Sequence, residues 1–121
     1  MTLSKRLWMD LAMECAAFAV LVTTVSLLWR DNVLLCVVAL AECLAALALW
    51  HDRLTVCFFL IIGGLGTAAE AVFVQVGVWS YTNPTVLGVP LWFPVAFGTT
   101  GLIGSRLAQT LAAMWEQRRF P

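Results

Sequence analysis

Apolar residues along the chain gather into four long runs, at 7–29, 33–50, 54–79 and 91–115. Short polar clusters break them at Arg30-Asp31-Asn32, at His51-Asp52-Arg53 and from Ser80 to Pro90. Each run approaches or exceeds the roughly 20 residues an α-helix needs to cross the hydrocarbon of a bilayer. The pattern predicts an all-α protein, an antiparallel four-helix bundle spanning a membrane, with one domain over residues 1–121. Tryptophan favours the membrane interface, and all six tryptophans fall at predicted ends. Trp8 and Trp29 bracket the first span, Trp50 closes the second, Trp79 closes the third, and Trp92 and Trp115 bracket the fourth. The first run is too long for a typical signal-peptide core and is followed by no cleavage signal, so it reads as a span.

Composition agrees. Of 121 residues 62% are hydrophobic and 12% charged, where a soluble domain carries about 25% charged; an ordinary soluble domain is excluded. Seven Lys+Arg balance seven Asp+Glu, which leaves no basic face for a phosphate backbone and excludes nucleic acid as a partner. Lys5, Arg6, Arg53, Arg118 and Arg119 lie on one side of the predicted membrane and Arg30 alone on the other. By the positive-inside rule both termini are expected in the cytoplasm, with a bacterial inner membrane as the location. Cys15, Cys36, Cys43 and Cys57 all fall within spans, at unlike depths and without a CxxC pair, and read as small apolar fillers. Asp10, Arg30, Asp31 and His51 read as boundary residues. No nucleophile elbow, phosphate loop or HExxH is present; no metal or cofactor is expected.

Helices in lipid approach closely where residues are small. Gly63, Gly64, Gly66 and Ala68 in the third run, and Gly98, Gly101, Gly104 and Ala108 in the fourth, predict close contact between these two spans. Ala41, Ala45 and Ala48 add a small-residue stripe to the second. Pro90 and Pro94 mark the start of the fourth helix, where a missing amide donor costs little.

Four ionisable groups stand inside the predicted hydrocarbon, one per span: Glu14, Glu42, Glu70 and Arg106. Charges there are costly and point to function. Counted from the interfacial tryptophans, they lie about 9, 12, 16 and 13 Å from the inner boundary. The simplest expectation is one polar layer in which Arg106 bridges two carboxylates and the third is neutral or hydrogen-bonded to Gln75, Thr67 or Thr99. Two readings stay open: a structural clamp, or a functional polar chamber for a ligand head group, protons or acid chemistry.

The third loop, from Gly77 to Pro94, is rich in aromatic residues. Asn83-Pro84 and Gly88 supply turn chemistry, and Trp79, Tyr81, Trp92 and Phe93 are expected either to pack as a cap over the outer mouth or to form an aromatic belt. The run Gly77-Val78-Trp79-x-Tyr81-Thr82-x-Pro84-x-x-Leu87-x-Val89, with Trp92-Phe93-Pro94 and Gly104-x-Arg106-Leu107-Ala108, resembles the last two spans of the Insig family of sterol-sensing membrane proteins over about a quarter of the chain. That resemblance implies a sterol or diacylglycerol pocket between helices, although Insig proteins have six spans and this chain four. Glu70, Gly77-x-Trp79-x-Tyr81-x-x-Pro84 and Leu87-Gly88-Val89-Pro90 also resemble the small membrane-bound lycopene cyclase subunits. In those an acidic pair follows the proline; here Leu91-Trp92 stands in its place.

Three functional classes follow. The first is a protein that binds a membrane lipid or isoprenoid between its helices or scaffolds a larger membrane complex, with Glu14, Glu42, Glu70, Gln75, Trp79, Tyr81, Trp92 and Arg106 as the candidate ligand-binding residues. The second is an isoprenoid- or carotenoid-modifying enzyme with Glu70 as acid and Arg106 as its charge partner. The third is a proton- or ion-coupled transporter acting as an oligomer. The sequence favours binding or scaffolding over catalysis, assigns no catalytic residue, and makes a homo-oligomer plausible through the small-residue stripes.

Overall fold

The computed structural model describes residues 4–119. Four α-helices run through it: α1 (Lys5–Leu28), α2 (Asn32–Leu49), α3 (Arg53–Gln75) and α4 (Phe93–Arg119). The first three begin at side-chain caps, an oxygen of Ser4, Asp31 and Asp52 accepting from the amides of Leu7, Leu34 and Thr55, which satisfies helix-end donors that lipid cannot. The boundary aspartate Asp31 thus has a definite task. His51 stays in its turn, with Nδ1 3.1 Å from the Leu47 carbonyl.

The helices differ in character. Helices α1, α2 and α3 are long and apolar enough to cross a membrane. Helix α4 is less apolar, yet it contacts each of the other three and carries buried residues along most of its length, including Gly98, Thr99, Gly101, Ser105 and Thr110. Position explains composition: a helix wrapped by others needs small and polar residues that pack and hydrogen-bond, whereas a lipid-facing helix needs apolar surface. The core cluster joins Ala46 and Trp50 to Leu102 and Ile103. Trp50, the C-cap of α2, closes that helix as expected and packs into this core. Cys43 is buried, while Cys15 and Cys57 face outward, so these two fill no core space.

Helices α3 and α4 make the most extensive contact, as the small residues predict. A methyl group placed on Gly63 would lie 3.1 Å from the Gly98 Cα, and one on Gly98 would lie 2.9 Å from the Phe59 ring. Gly64 and Gly104 stand clear of this interface, with open space where a Cβ would project.

Helix α3 stops at Gln75, four residues before its predicted end. Gly77, at φ +84°, forms a left-handed cap in which its own amide bonds to the Val74 carbonyl at 3.1 Å and the Val78 amide to the Phe73 carbonyl at 2.9 Å. This pair of bonds is the Schellman arrangement, which glycine permits at no steric cost. The chain then runs to a tight turn whose central residues, Leu87 (φ 52°) and Gly88 (φ 78°), both have positive φ. Mutual bonds between Val86 and Val89 close it at 2.9 and 3.1 Å. Gln75 Nε2 donates to the Leu87 carbonyl at 3.1 Å, and a side chain at Gly88 would strike Val74. A leucine pays a steric penalty in this region, so Leu87→Gly is expected to leave stability unchanged or raise it by up to about 1 kcal/mol. Thermal unfolding in detergent checks this; a clear loss would mean that the exposed Leu87 side chain makes a needed contact.

Candidate functional site

The four membrane charges do not form one layer. Arg106 and Glu14 do meet: Arg106 Nε lies 3.6 Å from Glu14 Oε1. The second partner of Arg106 is Asp52, 3.6 Å from its other end, a residue the sequence reading left in a turn. Around them Thr110 donates to Glu14 at 2.7 Å, Gln109 donates to Ser105 and Thr55, and Thr55 donates to Asp52 at 2.7 Å. Arg106 thus runs from a fully buried carboxylate to one that is 43% exposed, a long side chain carrying its charge from the middle of α4 toward the polar α2–α3 turn. The Thr55 hydroxyl, its backbone amide and Arg106 hold the Asp52 carboxyl below its usual range despite some burial. Asp52 therefore contributes stability above the ordinary carboxylate pKa and loses it as pH falls through its own lowered value.

Glu42 stands apart, between α1 and α2, accepting from Thr24 Oγ1. Thr24 lies ten residues beyond Glu14, about 15 Å along α1. Glu70 sits at the opposite end from Arg106, where one carboxylate oxygen accepts from both Trp79 Nε1 and Tyr81 Oη at 2.5 Å. Burial, and then the neighbouring Glu70, push the Tyr81 hydroxyl well above its ordinary pKa, so it remains a donor. Glu70 clamps the loop to α3 and has no ionic link to Arg106: the predicted acid and charge-partner pairing is not formed. Gln75 also serves the loop, and neither Thr67 nor Thr99 bonds to any of the three glutamates among the described residues; Thr99 bonds to the Val95 carbonyl.

The third loop caps this end of the bundle and is tied to the α1–α2 turn by side-chain hydrogen bonds. Asn83 Nδ2 donates to the Trp29 and Arg30 carbonyls at 3.3 and 3.2 Å. Asn32 Nδ2 donates back to the Asn83 carbonyl at 2.7 Å and to Thr85 Oγ1 at 3.2 Å. Tyr81 packs edge-on against Trp92 and Phe93, whereas Trp79 packs on Phe73 and joins the group only through Glu70.

Beneath this cap lies a groove between α1 and α4. Its apolar part, about 310 Å³, is walled by Phe18, Leu21 and Val22 on one side and Phe93, Ala96 and Phe97 on the other. A polar mouth of about 290 Å³ continues from it, lined by Ser26, Trp29, Asn32, Tyr81, Asn83 and Trp92. Val25, Ser26 and Trp92 belong to both parts. Trp92 Nε1 and Asn32 Oδ1 are buried without a hydrogen-bond partner among the described residues. Of the eight candidate binding residues, Tyr81 and Trp92 line the groove. Glu14 and Arg106 belong to the polar network, Glu42 to the α1–α2 contact, and Glu70, Gln75 and Trp79 to the loop. Sequence reasoning missed Ser26 and Asn32; the only signal was a polar residue one turn before Trp29 and an asparagine beside the turn. Comparison with protein-family models, curated proteins and solved structures gives no match.

Proposed function

We propose that this is a small integral membrane protein of a bacterial inner membrane, its termini cytoplasmic, that holds a lipid or isoprenoid chain in the groove between α1 and α4. The observation that carries this reading is an apolar groove that shares Val25, Ser26 and Trp92 with a polar mouth beneath the third loop. Concave apolar sites with a few placed polar groups are the usual form of small-molecule sites. The bond pattern elsewhere supports binding over catalysis, since Glu70 and Arg106 each have other partners.

Ser26 supplies the test. It is exposed, its hydroxyl bonds only to the Val22 carbonyl of its own helix, and its side chain lines both parts of the groove, so Ser26→Phe plugs the groove without disturbing a core. Native mass spectrometry of the detergent-extracted protein should show a retained lipid whose occupancy falls about tenfold or more in the variant, about 1.4 kcal/mol of binding. Equal occupancy in both forms would overturn the reading.

A further inference from the structure

We propose that the groove between α1 and α4 at the end of the bundle where α1 begins and α4 ends binds an anionic phospholipid of the adjoining leaflet, with Arg118 and Arg119 meeting its phosphate. This site is separate from the groove beneath the cap and does not depend on what that groove holds.

The two helix ends are tied side by side, the Ser4 amide donating to Gln117 Oε1 at 3.1 Å. A groove runs along each flank of the pair, and the two have no lining residue in common. On one flank Leu11, Leu111 and the buried Met114 give an apolar wall, and Trp8 and Trp115 stand beside it at 52% and 70% exposure. Arg118 and Arg119, in the last turn of α4, complete this lining.

Charge divides the two flanks. On the other side Arg6 shares its groove with two carboxylates, Asp10 and Glu116. Here two arginines are accompanied by no carboxylate among the described residues. The chain as a whole carries seven basic and seven acidic residues, so the positive excess is local and comes from helical spacing. Arg118 lies three residues after Trp115 and seven after Leu111, on the same face, whereas Glu116 directly follows Trp115 and is turned away.

This arrangement matches a lipid anion. Exposed indoles favour the membrane interface, which sets the neighbouring arginines at the level of the phosphates. Guanidinium groups suit phosphate oxygens in charge and geometry, and basic pockets between spans are a recognised form of head-group site. A zwitterionic head would bring its own cation to the same two arginines. From Arg118 the wall continues through Trp115 to Leu111, about 10 Å along α4, and gives acyl chain a surface that free phosphate cannot use. The open shape of the groove suits a lipid that enters sideways from the bilayer.

The test uses the full-length protein in mild detergent, with phosphatidylglycerol and phosphatidylcholine of identical acyl chains added in equal amounts and native mass spectrometry reading the occupancy of each. Phosphatidylglycerol should exceed phosphatidylcholine by about tenfold or more, since a basic residue at the membrane surface is worth about fivefold for an anionic lipid. Arg118→Gln with Arg119→Gln should bring the ratio close to one, whereas Arg118→Lys with Arg119→Lys, which keeps the charge, should retain most of it. Arg6→Gln on the other flank, and Ser26→Phe in the groove beneath the cap, should leave the ratio at the native value. Excess inorganic phosphate should not displace the lipid. Equal retention of the two lipids by the native protein would overturn the proposal and leave the arginines as helix-end charges. A preference that survives the double glutamine variant, or falls as far in Arg6→Gln, would overturn its place in this groove, and displacement by inorganic phosphate would overturn the lipid as its occupant.

Discussion

Replacing Arg106 by methionine is expected to destabilise the protein by about 3 kcal/mol, the lower end of the range for breaking a buried ion pair, because a fifth of the arginine side chain remains exposed. Glu14 is fully buried, and without the guanidinium it keeps only the Thr110 hydroxyl. It must then stay charged in a poor environment or take up a proton. Neutralising it in advance removes that choice, so Arg106→Met combined with Glu14→Gln should regain much of the loss, with an interaction energy above about 0.5 kcal/mol as expected for residues in contact. Combining Arg106→Met with Glu70→Gln should show no such coupling, since Glu70 bonds to Trp79 and Tyr81. Unfolding from mild detergent into a denaturing one, followed by helical circular dichroism, measures the native protein, the three single variants and the two double variants. Coupling to Glu70 instead of Glu14 would contradict the separation of the charges.

Gly98→Leu is expected to cost at least about 1–3 kcal/mol, the range for overpacking a close contact, and to loosen α3 from α4. The first added carbon would meet the Phe59 ring at 2.9 Å and the Phe59 carbonyl at 3.2 Å; a ring can turn, but helix backbone must shift. Gly64→Leu is the matched control, because its added side chain enters open space and in a lipid-facing position costs little. Crosslinking between cysteines introduced on the two helices should weaken in the first variant and persist in the second. Equal tolerance of both would place the α3–α4 contact elsewhere along the helices.

Height along the helices was legible for Glu14 and Arg106 but not for Glu42, and direction around each helix was not legible at all. Apolar runs and interfacial tryptophans count residues along the membrane normal, and Glu14 and Arg106, placed at similar depth by that count, do meet. The same count also put Glu42 near them, yet it bonds to Thr24. In water the polar stripe of a helix reveals its outer face; here lipid-facing and helix-facing residues are both apolar, so the pattern that would assign faces is missing. Asp52 escaped for a different reason. It reads as a capping turn residue, which it is, and nothing local shows that a cation on another helix reaches out to it. The early stop of α3 was more accessible, since Gly77 stands where a left-handed cap would, but the apolar run on either side of it concealed the break. The groove was visible only through Tyr81 and Trp92, because its walls are ordinary apolar residues whose alignment depends on how α1 and α4 cross.

The central place of α4 bears on how the protein is made. Helices α1, α2 and α3 are apolar enough to leave the insertion machinery for lipid on their own account. Helix α4 carries Arg106, Gln109 and several hydroxyl side chains, and an arginine at the centre of an isolated span opposes insertion by about 2.5–3.5 kcal/mol. It follows its three partners in chain order, so the segments that bear Glu14, Asp52 and Thr55 are made before it. Insertion of α4 and assembly of the bundle are therefore expected to be coupled: the helix that contacts all three others is the one whose entry into the bilayer their polar partners assist.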